Sequence, residues 1–181
     1  TIEWEAFFEC TNLTEIYIPD NVIQVNGFES CSNLSNVRLS NNAKVIGGFS
    51  KCTSLSSIQI PNSVENICDY AFYDAQLLEK ITIPGNVKQI DDYAFSECVK
   101  LEKVTIENGV ETIGKNAFSD CPALTDIVIP ESVTAINMYA FRNCTSLFYT
   151  DIPGSVTSVG SGVFRDCLNF QTVSIPSSLT A

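Results

Sequence analysis

This chain of 181 residues predicts a solenoid of short parallel strands, and three observations carry that prediction. Phenylalanine returns at Phe7, Phe28, Phe49, Phe72, Phe95, Phe118, Phe141 and Phe164, at intervals of 21, 21 and then 23 residues. Cysteine follows three residues later in every copy but the fourth, where Ala75 stands. Between each cysteine and the next phenylalanine, β-branched residues alternate with polar ones. A period in this range marks units that cannot bury a core alone and do so by stacking.

Aligned on the phenylalanine, the copies read Cys-x-x-Leu-x-x-Ile-x-Ile-Pro-x-x-Val-x-x-Ile-x-x-x-Ala-Phe. The first element is the Ile-x-Ile pair, as in Ile16/Ile18, Ile58/Ile60, Ile81/Ile83, Val104/Ile106, Ile127/Ile129 and Thr150/Ile152. Its period of two is that of a strand with one buried face. A single strand of about three to five residues per copy must pair with its equivalents, which makes a parallel sheet. Proline follows at Pro19, Pro61, Pro84, Pro130, Pro153 and Pro176 and ends the strand, because it has no N–H for a ladder. Val64, Val87, Val110 and Val133 then turn inward, as do Ile67, Ile90, Ile113 and Ile136 three residues on. The next residue is of N-cap type at Asp91 and Asn137 and a turn glycine at Gly114 and Gly160, so a short helical or 3-10 segment should carry Ala-Phe-x-x-Cys back to the next strand. The copies ending in Phe28 and Phe49 lack two residues just before the ring, which predicts a flatter array over 10–52 than over 75–167.

The 21 acidic and 10 basic residues leave a net charge of −11, which disfavours nucleic acid and anionic membranes as partners. No apolar run approaches the roughly 18 residues of a membrane span, so direct membrane insertion is not expected, and Thr1-Ile2-Glu3-Trp4 lacks the pattern of a signal peptide. Residues 1–181 read as one array of about eight copies, cut in mid-repeat at both ends from a longer one. Periodicity explains seven of the eight cysteines better than disulfides do, since a position that accepts Ala75 behaves as a small buried site. Cys68 lies outside that ladder and is the thiol to test for reactivity.

With no histidine, no Gly-x-Ser-x-Gly, no Gly-x-Gly-x-x-Gly and no Cys-x-x-Cys, nothing argues for an enzyme, a cofactor or a metal site. Asp91-Asp92 reads as a helix cap and a solvated charge rather than a catalytic pair. Sequons at Asn12, Asn33 and Asn143 matter only in a glycosylating host.

The run Leu-x-x-Ile-x-Ile-Pro-x-x-Val-x-x-Ile with Ala-Phe-x-x-Cys, as from Leu124 to Phe141, resembles the BspA-like leucine-rich repeat surface proteins of anaerobic bacteria and parasitic protists. The resemblance implies an α/β leucine-rich-repeat solenoid with its parallel β-sheet on the concave face and helical, 3-10 or irregular convex segments. It also implies export to the cell surface and a role in adhesion to host matrix proteins or other cells; it brings no catalytic residues. The usual asparagine after the strand is kept at Asn21, Asn42 and Asn86, whereas Ser63, Gly109, Ser132, Ser155 and Ser178 replace it, and proline geometry is expected to stand in.

If the Ile-x-Ile residues face inward, the sheet presents Glu15/Tyr17, Asn36/Arg38, Ser57/Gln59, Lys80/Thr82, Lys103/Thr105, Asp126/Val128 and Tyr149/Asp151. Three positive and three negative charges leave this lane neutral. Lys80 and Lys103 fall on adjacent strands about 4.8 Å apart, which suits an anion unless Glu79 and Glu102 neutralise them. Phe148-Tyr149-Thr150 puts two aromatics where polar residues are usual, either as a binding spot or through a register shift that buries Phe148. The candidate surface is Tyr17, Arg38, Lys80, Lys103, Val128, Phe148, Tyr149 and Asp151. Its expected partner is a protein or a glycan; the competing expectation is a spacer that binds nothing. Ser57 and Gln59 fit the spacer and residues 126–151 the binder.

Overall fold

The computed structural model describes residues 1–179, and its chain winds into a parallel β-solenoid with two sheets along its length. The Ile-x-Ile segments form the first: β1 (Glu15–Tyr17), β3 (Asn36–Arg38), β6 (Lys80–Ile83), β8 (Lys103–Ile106), β10 (Asp126–Val128), β12 (Tyr149–Asp151) and β14 (Thr172–Ser174). The register is that of the repeat, with Lys80 opposite Lys103 and Lys103 opposite Asp126. Side chains between the outward positions are buried, as at Ile81, Val104 and Ile127, so the alternation of the sequence becomes the two faces of the sheet.

The second sheet is a feature the sequence reading did not supply. It comprises β2 (Gln24–Val25), β4 (Val45–Ile46), β5 (Asn66–Ile67), β7 (Gln89–Ile90), β9 (Thr112–Ile113), β11 (Ala135–Ile136) and β13 (Ser158–Val159), paired without a break. Two residues are too few to show a period, yet Val25, Ile46, Ile67, Ile90, Ile113 and Ile136 are all buried, and each repeat needs the pairing to satisfy its backbone.

The helical or 3-10 convex segments expected after Asp91 and Asn137 do not form, and no helix is present among the described residues. The chain there is a run of turns in which the residues two before and two after the phenylalanine take left-handed φ, as Tyr93 (58°) and Glu97 (62°) do around Phe95. Left-handed residues cannot continue a right-handed helix. The backbone N–H groups bond to the following repeat instead: Phe72, Phe95 and Phe118 donate to the carbonyls of Ala94, Ala117 and Ala140, each at 2.8 Å. Asp91 therefore caps no helix, and Asp92 is more than a solvated charge, since its carboxylate accepts the backbone N–H of Lys115 in the next copy at 2.7 Å.

Inside, the eight ladder phenylalanines stack with ring centroids 4.9–5.6 Å apart and planes within 9°. All eight cysteines are free thiols. Cys31, Cys52, Cys98, Cys121, Cys144 and Cys167 each donate to the carbonyl of the phenylalanine one copy back, at 3.0–3.2 Å. Burial pushes the Cys52 and Cys98 thiols up to about 12 and raises those of Cys121 and Cys144 well above the usual thiol range, so these are structural groups. Cys68 is no reactive exception: burial, then the charges of Asp91 and Asp69, raise its thiol as well.

The asparagine ladder is replaced by serine hydroxyls rather than by proline geometry. Asn42 donates to the Asp20 carbonyl, and Ser63, Ser132, Ser155 and Ser178 donate to Ala43, Val110, Val133 and Val156 at 2.6–2.7 Å. The i to i+3 turn that follows each proline, such as Val87 N–H to the Pro84 carbonyl at 3.0 Å, presents those carbonyls at the corner.

Candidate binding surface

The outward row of the first sheet runs as the alternation requires. Tyr17, Arg38, Lys80, Lys103, Val128, Tyr149 and Asp151 are all exposed, with Val128 at 69% and Tyr17 at 61%. They fall into three groups: Arg38 lies over the Tyr17 ring at 5.0 Å, Lys80 and Lys103 are paired in register, and Val128, Tyr149 and Asp151 share β10 and β12. The Tyr149 hydroxyl donates to the Asp151 carboxylate, which raises the pKa of the phenol.

Phe148 is 53% exposed while Thr150 is 1% exposed, so the register shift that would bury Phe148 does not occur. The Thr150 hydroxyl donates to the Ile127 carbonyl at 3.1 Å, which lets a polar residue occupy the inward place of an isoleucine. Phe148 therefore stays on the surface, at the entry to β12 and beside the row rather than in it.

Glu79 and Glu102 do not neutralise the lysines. Among the described residues, ion pairs within 4.0 Å join Lys44 to Glu65, Lys88 to Glu111, and Arg142 and Arg165 to Asp166, all away from this face. Successive side chains on a strand point to opposite sides, which takes Glu79 and Glu102 out of the row that Lys80 and Lys103 occupy.

The sheet is interrupted at the third copy. Ser57–Ile60 keeps Ile58 and Ile60 buried, but its backbone makes no hydrogen bond to either neighbour, and β3 and β6 are left unpaired on the sides that face it. A cleft of about 640 Å³ opens there, lined by Ser57, Gln59, Asn62, Lys80, Lys103 and Glu107. A smaller one of about 260 Å³ lies on the other side, against Arg38 and Asn41. Sequence reasoning assigned Ser57 and Gln59 to the featureless part of the lane and did not consider Asn62 or Glu107. Buried isoleucines at normal spacing hide the interruption, because the pattern reports burial and not backbone pairing.

A stack of parallel strands with no helix among the described residues, with a row of varied side chains on one sheet and a repeated apolar set inside, defines a solenoid of the leucine-rich repeat class. A BspA type leucine rich repeat region in six copies matches residues 1–79 and 65–181, and the chain belongs to that family. A leucine-rich repeat protein from Bacteroides ovatus superposes with a TM-score of 0.79 at 33% identity, over 96% of this chain and 52% of that one. A leucine rich cell surface protein from Faecalibacterium prausnitzii gives 0.60 and 28%, over 98% and 65%. The leucine rich repeat protein of T. pallidum, at 0.66 and 23% over 93% and 70%, shares the fold. The chain thus spans about half to two thirds of the first two relatives. No curated protein matches it.

Proposed function

We propose that this array is a surface-exposed, adhesin-like binding module that takes a protein or a glycan on the outer face of its first sheet. The observation that carries the reading is the cleft of about 640 Å³ at the interrupted strand, with two unpaired lysines in register on its wall. Its size is that of ligand sites in general, about 300–1,000 Å³. The lysines supply charge for a carboxylate, sulfate or phosphate on the partner, and Val128 on the strand next to Lys103, with Phe148 and Tyr149 at the strand after it, supply exposed apolar area. The cell-surface description of the Faecalibacterium relative supports placing the module outside the cell. No catalytic role is part of the proposal.

The test is binding to a panel of host matrix proteins and glycans, with the double variant Lys103→Ala/Tyr149→Ala alongside. Loss of affinity of about tenfold or more in the variant is expected. Equal binding by both would reject the sheet face, and binding to nothing on the panel would favour a spacer.

A further inference from the structure

The turns that carry Phe28 and Phe49 are two residues shorter than those on either side of them, and the missing pairs leave a notch in the turn side of the solenoid. In the turns around Phe7 and Phe72 the position two before the ring is held by Glu5 and Tyr70, both with left-handed φ (60° and 55°). The short turns run from Asn26-Gly27 straight to Phe28 and from Gly47-Gly48 straight to Phe49, with no residue at that place. Glu5 and Tyr70 therefore stand on opposite sides of two empty layers, in a stack whose rings are 4.9–5.6 Å apart.

Both walls of the notch carry backbone groups left without partners. In the long turns the N–H at this position donates to the next copy: Tyr70 to the Asp92 carbonyl at 3.1 Å, Tyr93 to Lys115 at 2.9 Å and Tyr139 to Ser161 at 3.1 Å. Among the described residues the Glu5 N–H has no such acceptor and the Asp69 carbonyl no such donor, because the residues that would meet them are missing from the short turns. The equivalent carbonyls all accept from the copy before, so that of Asp69 points into the notch.

Tyr70 turns a ring face the same way. Its other face is stacked on Tyr93 at 4.8 Å with planes 4° apart. Tyr73, at 69° to it, sends its hydroxyl to Glu97 in the following copy at 2.6 Å, away from the notch. Tyr70 is left 45% exposed. The tyrosine pair already takes a cation at its far end, where the Lys115 ammonium lies 5.7 Å from the Tyr93 centroid. Charge around the near end is one-sided: the turns from Phe7 to Phe72 hold Glu3, Glu5, Glu9, Glu29, Asp69 and Asp74 against one basic side chain, Lys51. Among the described residues none of these seven is in an ion pair.

We infer that the notch is a docking site for an arginine-bearing segment of a partner protein, whose guanidinium lies on the free face of Tyr70. A guanidinium stacks flat on an aromatic ring and donates from its edge, here to the Asp69 carbonyl and the carboxylates beside it. The segment's own backbone supplies a carbonyl for the Glu5 N–H. Stacked on Tyr93 and set against Tyr73, the Tyr70 ring is fixed before binding, so little side-chain freedom is lost. The acidic surroundings attract a basic segment and repel an acidic one. The notch is on the turns, away from the sheet cleft, and does not depend on the function proposed there.

The test is a titration of the ¹⁵N-labelled chain with tetra-arginine and tetra-glutamate peptides, following the backbone amides of Glu5, Asp69 and Tyr70 by NMR. Tetra-arginine should move these signals more than those of acidic residues elsewhere, and tetra-glutamate should leave them in place. Tyr70→Ala should weaken binding about threefold to fivefold, as loss of an exposed cation–ring contact does, while Tyr70→Phe keeps the ring and should bind as the parent does. Inserting Asp-Tyr between Gly47 and Gly48 rebuilds the layer next to Tyr70 and should abolish the shifts. Glu131→Gln removes an equal charge far from the notch and should change nothing. The inference is overturned if tetra-arginine shifts acidic residues alike along the whole chain, if tetra-glutamate shifts the same amides, or if Tyr70→Ala binds as the parent does.

Discussion

The two sheets of this solenoid are built from the same repeats and differ in what they tolerate. The second runs through seven strands without interruption, across the short copies and the long ones alike. The first, with longer strands, breaks at Ser57–Ile60 and carries outward side chains that vary along the array, β6 and β8 alone sharing Lys and Thr. Continuity of the second sheet, together with the ring stack, holds the repeats in register, so the first sheet can lose a strand without losing the fold. The varied and interrupted lane is where a partner can be accommodated.

The largest expected effect bears on both sheets at once. Phe95→Ala removes a fully buried ring that lies between Phe72 and Phe118, and should cost about 3–5 kcal/mol. Denaturant unfolding should then lose its single transition, because stability in an array is passed between neighbours. A single cooperative transition in the variant would show that the second sheet alone couples the two halves.

The short copies offer a second test. Gly48 (φ 71°) stands where the long copies have Ala71, Ala94, Ala117 and Ala140, and a Cβ there would meet the backbone of Gly27. Gly48→Ala should cost about 1–3 kcal/mol, measured by chemical denaturation. A neutral result would mean that the two missing residues do not constrain the turn.

Asp91, at the end of β7, makes stability depend on pH. Burial first, then Asp69 and Asp92, raises its carboxyl to about 6, against 3.8 for the free group. The folded chain therefore takes up the proton before the unfolded one does, and stability rises as pH falls from about 6 toward about 4. Asp91→Asn should be more stable by about 1 kcal/mol at pH 7.5, a figure reduced for solvent screening. Thermal melts should show the advantage shrinking at pH 5 and gone near pH 4. An advantage independent of pH would trace the effect to packing.

The smallest effect concerns the thiols. Cys98→Ala should cost no more than about 1 kcal/mol, since Ala75 already occupies the same place one copy earlier and a thiol donates only a weak bond. Native-state alkylation should label the exposed Cys10 first and leave Cys98, Cys121 and Cys144 unmodified until unfolding. Rapid labelling of the ladder thiols would indicate that the stack opens locally.

The repeat, the inward rows and the ring and thiol ladders were legible in the residues, because burial of one side chain in each copy is written as a period. The outward positions of Tyr17, Lys103, Val128 and Tyr149 were legible for the same reason. Other features were not. A left-handed φ at Tyr93 and a right-handed one leave the same trace of apolar spacing, so the turns read as a helix. Ser132 and its equivalents looked like departures from an asparagine ladder until their hydroxyls were placed against a carbonyl one copy back.

By itself, then, the sequence determined a stacked array, its core and the side of the strand that faces out, since each follows from alternation within one copy. Only the tertiary structure decided the second sheet, the unpaired strand at Ser57–Ile60 and the left-handed turns on either side of each ladder phenylalanine. Each of these depends on where the backbone and side chains of neighbouring copies lie, about 5 Å away in space and some 23 residues away in the chain.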